Sequence, residues 1–138
     1  VVVHVGLKVK SRKGFMKDLV TLVNGGAHSP EPVLVVDEEV ARELGYEGGE
    51  AVEASIADTT REVYLVRDAL ELTLKGEGSE ELSRIAAHLV IHPKLEEPLI
   101  TDTTIDELGI QVISFSKGFW RHVNDPPNKV RRSMLKPN

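Results

Sequence analysis

Apolar and polar positions alternate with a period of two along most of this chain, and β-branched residues dominate the apolar set, a combination that predicts strands over helices. Strands are expected at Val1–Val9, Leu19–Val23, Val33–Val36, Ala51–Ala57, Glu62–Val66, Leu70–Lys75, Ile85–Ile91 and Gln111–Phe115. Gly14, Gly25-Gly26, Pro30, Pro32, Gly48-Gly49, Gly76, Gly78, Pro93 and Pro98 punctuate them. Many short strands with regular turns predict an all-β architecture, a barrel or a small sandwich.

Two segments carry helix signals instead. Over Asp37–Leu44, Asp37 can cap the free N–H groups, Glu38 and Glu39 suit the positive end of the helix dipole, and Gly45 supplies a left-handed stop. Over Asp102–Leu108, Thr101 or Asp102 is the cap and Gly109 the stop. Superposing these segments exposes a weak repeat at an offset of 64 residues: Val35-Val36 falls on Leu99-Ile100, and Glu43-Leu44-Gly45 on Glu107-Leu108-Gly109. Such a repeat implies two similar halves, each running strand, loop, strand and short helix about an approximate internal twofold.

At 138 residues and 41% apolar, the chain is sized for one domain with its own core. It has no cysteine, which excludes disulfides, thiolate metal sites and cysteine nucleophiles and fits a cytoplasmic setting; no apolar run has the length of a signal h-region or a membrane span, so no membrane partner is expected. The net charge of -5 is unevenly spread: residues 1–20 carry +4, residues 117–138 carry +5, and the middle is strongly acidic. Two basic ends could form a basic surface for nucleic acid or another polyanion, so a nucleic-acid partner stays open, but aromatic interleaving of Lys8–Lys17 is limited to Phe15 and mutual neutralisation of the segments is the favoured reading.

The motif that carries chemistry begins at residue 19. LVTLVNGGA (19–27) followed by the strand and helix of Val33–Gly45, with EPLITDTTIDELGI (97–110) downstream, resembles the retropepsin-like aspartic peptidase family, in particular its small archaeal and bacterial single-domain branch. The resemblance covers roughly residues 1–115 and implies a retropepsin-like acid protease barrel, mainly β with two short helices, over residues 1–116, with residues 117–138 a basic C-terminal arm packing on the barrel or on a partner. It also implies a homodimer, because single-domain members build their active site from two half-sites.

In the family, two carboxylates about a hydrogen bond apart share one proton, one serving as base on the attacking water and the other as acid. Asn24-Gly25-Gly26 stands where Asp-Thr-Gly is expected, and Thr101 replaces the glycine of the second motif. A carboxamide cannot accept the water's proton, and Gly25 lacks the threonine hydroxyl that braces the two loops, so no catalytic residue is expected. What the resemblance implies is a catalytically inactive protein that binds an extended peptide or protein in a dimer cleft. Its binding residues would be Asn24, Gly26 and Ala27 on the floor, and Asp58 and Thr59 near the tip of a covering flap. Residual peptidase activity is the enzymatic alternative.

Other residues offer weaker candidates. Asp58-Thr59-Thr60 and Asp102-Thr103-Thr104 each resemble half of Asp-Thr-Gly, but Asp58 reads as a turn residue, Asp102 as a helix cap and Asp18 as an exposed turn carboxylate. Asn24-Gly25 could also be a two-residue hairpin turn, except that no strand can start before Val33. On a strand, His88 and His92 would stand about 13 Å apart, too far for one ion, so neither a metal nor any cofactor is expected. His28-Ser29 would point apart if extended. In the arm, Trp120 and Arg121 are of residue types that anchor interfaces, and Asn124-Asp125-Pro126-Pro127 predicts a turn leading into a short helix through Val130–Ser133.

Overall fold

The computed structural model describes residues 2–56 and 59–134, and it is mainly β with two short helices. A hairpin opens the chain: β1 (His4–Ser11) and β2 (Met16–Val23) pair antiparallel around a turn in which Gly14 takes φ +93°. β3 (Val33–Val36) and α1 (Glu38–Glu43) follow, then β4 (Glu50–Ile56), β5 (Thr59–Lys75) and β6 (Glu81–Ile91) as a meander. β7 (Leu99–Ile100), α2 (Asp102–Leu108) and β8 (Ile110–Ser114) come next, and β9 (Phe119–His122) and β10 (Arg131–Arg132) close the described chain. No described helix is long and apolar enough to cross a membrane.

Seven strands form one mixed sheet in the order β1-β2-β7-β3-β6-β5-β4, and β1 pairs with β5 as well as with β2. The strands β1, β2, β7, β3, β6 and β5 therefore form a hydrogen-bonded circuit, with β4 extending from β5. The alternating apolar residues point into the space this circuit encircles: Leu7, Leu34, Leu72, Leu74, Leu89 and Ile100 are fully buried, joined by Leu44 from α1 and Leu108 from α2. Burying each such side chain contributes about 2 kcal/mol relative to exposure.

At the centre of the sheet, the repeat of strand and helix becomes a symmetry of pairing. β3 and β7 run antiparallel with Val35 opposite Leu99, the very residues superposed by the 64-residue offset. On their outer sides β7 pairs parallel with β2, and β3 pairs parallel with β6. The first residue beyond each flanking strand then bonds its neighbour alike: Asn24 N–H to Ile100 O at 3.2 Å and His92 N–H to Val36 O at 2.8 Å. Each helix follows one of the two central strands. Asp37 Oδ1 caps α1 by accepting from Val40 N–H at 2.9 Å, whereas Thr101 holds the cap position of α2 without a side-chain capping bond.

The structure differs from the expectations at β5, in the arm beyond residue 116 and at β7, a two-residue strand that the expected set lacks. Glu62–Val66 and Leu70–Lys75 are one strand, because a bulge at 67–69, with Asp68 at φ +52°, lets β5 bend and change partner from β4 to β1 while keeping β6 beside it. Bulges serve to bend a strand in this way. The helix expected through Val130–Ser133 is instead β10, paired with β9 as Arg131 opposite Trp120. Residues beyond 116 thus contribute strands to a second sheet, β10-β9-β8. They fold back on β1 through Met134 N–H to His4 O at 2.9 Å, where Gly6 leaves the space that Met134 Sδ approaches.

Candidate site at the end of the second strand

β2 delivers Asn24 beside the parallel strand β7, and the chain turns there. Gly26 N–H donates to Asn24 Oδ1 at 3.1 Å and Ala27 N–H donates to Asn24 O at 3.1 Å, so the side chain and the main chain of one residue both close the turn. Neither Asn24 nor Gly25 has a positive φ, which excludes the mirror-image turns of two-residue hairpins. Asn24 is half-buried, Gly25 and Gly26 are exposed, and a Cβ built on Gly25 would meet nothing within 4 Å.

The loop from Asn24 to Val33 is tied down mainly by α2. Ala27 O accepts from Asp102 N–H at 2.9 Å. Asp102 is the first residue of α2 and does not cap it as expected; its carboxylate turns to the loop, accepting from Ser29 N–H at 3.0 Å and lying 2.9 Å from His28 Nδ1, and also accepts from Thr103 N–H at 2.7 Å. The bond with His28, followed by those from Ser29 and Thr103, holds the Asp102 carboxyl down at about 2. Beneath it Ser29 Oγ lies 2.6 Å from Thr101 Oγ1, Thr101 Oγ1 lies 3.0 Å from Thr104 Oγ1, and Thr104 Oγ1 both donates to Val33 O and accepts from Val33 N–H at 2.8 Å. Thr101 is thereby a buried link in a chain of hydroxyls.

Histidine 88 supplies another tie. Its ring is nearly buried, and Nδ1 accepts from Asp68 N–H at 2.8 Å, which leaves Nε2 to face Glu31 Oε2 at 3.3 Å. One side chain thus joins the bulge of β5 to the loop that begins at Asn24. His92 Nδ1 lies 3.1 Å from Pro93 O. Among the described residues no group of three or more His, Asp or Glu side chains could hold a metal ion.

Outside the turn lies an apolar hollow of about 520 Å³, lined by Val2, Leu22, Val23, Asn24, Gly25, Gly26 and Phe115. Val2 is 45% and Phe115 51% exposed, a large apolar exposure beside an amide whose carbonyl is already engaged. Ala27 follows the turn but is not among the residues that line the hollow. Asp58 lies outside the described residues, and Thr59 pairs with Ile56 at the head of the β4–β5 hairpin. Neither Val2 nor Phe115 carries a local sequence signal for this site, since both are brought to it by folding.

Trp120 and Arg121 sit elsewhere and do not line this hollow. Trp120 is 4% exposed and belongs to the core, its indole N–H donating to Arg132 O at 3.3 Å. Arg121 reaches Gln111 Oε1 and Asp125 O, both at 2.5 Å. Against Trp120 stacks Arg131, itself 4% exposed, gripped by both oxygens of Asp125 at 2.8 and 2.9 Å and by Glu80 at 3.0 Å. That grip drives the Asp125 carboxyl far below the usual aspartate range and raises the guanidinium. Basic and acidic segments also meet as Lys8–Glu81, Lys17–Glu43 and Lys75–Asp18 pairs at 3.5, 2.7 and 3.6 Å. No protein-family model matches this chain, and no curated protein is significantly similar to it.

Proposed function

We propose that this protein is a non-catalytic relative of the retropepsin-like aspartic peptidases that binds an extended peptide or protein segment in a cleft formed between two copies of the chain. The observation that carries this reading is the turn at Asn24, which ends β2 beside a parallel neighbour and opens onto an apolar hollow with Val2 and Phe115 exposed. The circuit of six strands, on this reading, is the closed barrel of that family, and the strand, helix and pairing symmetry about β3 and β7 is its internal twofold. The hollow is the part of the cleft one copy contributes.

Asn24 defines what such a site can do. An amide offers one acceptor and two donor hydrogens and does not titrate, so two of them facing each other can hold a peptide carbonyl or N–H but cannot move the protons that peptide hydrolysis requires. A strand laid in the cleft would satisfy its main chain with such groups and its alternate side chains in the apolar hollow. The pairing of Lys8 with Glu81 and of Lys17 with Glu43 supports a neutralising role for the basic N-terminal segment over a surface for polyanions.

The test is a cleavage assay at acid pH on the natural chain and on Asn24→Asp with Gly25→Thr, with sedimentation equilibrium on both. Gly25 has room for the threonine, and aspartate accepts the same Gly26 N–H bond, so the turn accommodates both changes. Cleavage by the double variant alone, in a dimer that Phe115→Glu dissociates, is expected. Equal cleavage by both proteins, or a chain that stays monomeric at every accessible concentration, would overturn the reading.

A further inference from the structure

We infer that Asn24 is a self-modification site: in the folded protein its amide converts to a carboxylate through a cyclic imide with Gly25, changing the hollow from neutral to acidic as the molecule ages. The consequence for binding rests on the function proposed above, whereas the conversion rests on the turn alone.

Three features of the turn set up the reaction. The nucleophile is the backbone nitrogen of Gly25, which has no side chain to hinder approach and whose N–H makes no hydrogen bond among the described residues. The electrophile is Asn24 Cγ, and the Gly26 N–H at 3.1 Å from Oδ1 is aimed at the oxygen on which negative charge develops when that carbon is attacked. A preorganised donor at that oxygen lowers the barrier. Water has access to the turn, since Asn24, Gly25 and Gly26 all line the hollow and Gly25 and Gly26 are exposed, so ammonia can leave and the imide can be hydrolysed. Holding reacting groups one residue apart within a tight turn also removes part of the entropic cost of ring closure.

The balance is simple. A bond forms between Gly25 N and Asn24 Cγ while the Cγ–Nδ2 bond breaks, and the Gly25 proton leaves with Nδ2 as ammonia. Water then opens the imide: attack at Cγ gives aspartate, and attack at the main-chain carbonyl carbon gives isoaspartate. One water is consumed and one ammonia released, with no change of oxidation state. The aspartate product keeps an acceptor for Gly26 N–H and adds a negative charge; the isoaspartate product lengthens the main chain by one carbon and breaks the turn.

The experiment follows peptide masses of the full-length protein incubated at neutral pH, both folded and unfolded in guanidinium, with the Asn124 and Asn128 peptides as internal clocks because larger residues follow them. The folded chain is expected to gain the amide-to-acid mass at Asn24 at least about fivefold faster than the unfolded chain, through the contribution of the Gly26 donor. Gly25→Ala, for which the structure leaves space, is expected to slow it by about tenfold because a Cβ obstructs the attacking nitrogen. Conversion that is absent, no faster folded than unfolded, or unaffected by Gly25→Ala would overturn the inference. Failure of the proposed function is distinguished by sedimentation, which is blind to this mass change, as the mass readout is to dimerisation.

Discussion

Replacing Asp125 by asparagine removes one charge from the most enclosed ion pair among the described residues while leaving the shape of the site. Arg131 is 4% exposed and stacks on Trp120, so its guanidinium has little access to water. Asp125 supplies two of its three charged contacts, at 2.8 and 2.9 Å, and also accepts from His122 N–H at 2.8 Å. Breaking a buried pair by neutralising one partner costs about 3 to 5 kcal/mol, and because Glu80 still reaches Nη1 at 3.0 Å the lower end, about 3 kcal/mol, is expected for Asp125→Asn. Urea unfolding checks it: the midpoint falls at unchanged slope, with a drop of about 10 °C in Tm. The carboxyl is depressed in the folded state, so its contribution is complete above the ordinary aspartate value of 3.8 and fades as pH falls through the lower folded value. The difference between natural and variant protein should therefore be flat from roughly pH 5 to 8. Adding Arg131→Met to Asp125→Asn should restore stability, since the uncompensated cation is gone. A single-variant loss under about 1 kcal/mol, or a double variant less stable than the single, would refute the argument.

Two further predictions concern the loop and the helix that anchors it. The depressed Asp102 carboxyl makes its hold on Ser29 N–H complete above 3.8 and lost as pH falls through about 2, so Ser29 amide exchange should stay slow in a mildly acidic peptidase assay and accelerate only in strong acid. Asp102→Ala should give fast Ser29 exchange at every pH, and unchanged protection would show that the carboxylate is not the anchor. Gly109→Ala should cost about 2 kcal/mol, measured by urea unfolding, because Gly109 stands at φ +80° and a Cβ there would lie 2.7 Å from Nε2 of the buried His122 ring; a neutral result would mean that α2 can end differently.

How far these features could be read from the chain depended on how local their causes are. Asp37, Gly45 and Gly109 act within a turn of their helices, and both helices fall within a residue of the expected bounds. Alternation located β1, β2, β4 and β6 for the same reason, and a run of mostly β-branched residues located β3. Asp68 and Ala69 interrupt the alternation of β5, and a bulge looks like a strand end in sequence although β6 runs past it without a break. β7 was hidden because two residues between proline and a helix cap carry no period, and Arg131-Arg132 carries no strand signal apart from its pairing with Phe119 and Trp120. Asp102 read as a cap because an acidic residue at a helix start usually is one; its partner Ser29 lies 73 positions away, a separation no local pattern encodes. The ties of His88 to Asp68 and Glu31 were missed for the same reason.

At position 24, the demands of the fold and of chemistry come apart. The turn requires an oxygen that accepts from Gly26 N–H, and an amide and a carboxylate meet that requirement with the same atom in the same place. Packing, register and loop anchoring are therefore indifferent between them, and every element around the site can form around asparagine. Proton transfer is not indifferent, because it needs a group that titrates, and the amide has none. A fold whose strand circuit, paired helices and loop anchors are all in place thus says little about catalysis here. On the function proposed above, one terminal atom of Asn24, nitrogen or oxygen, separates a hollow that holds a peptide from one that also cuts it, and that atom is the one that leaves when the Gly25 nitrogen attacks Cγ.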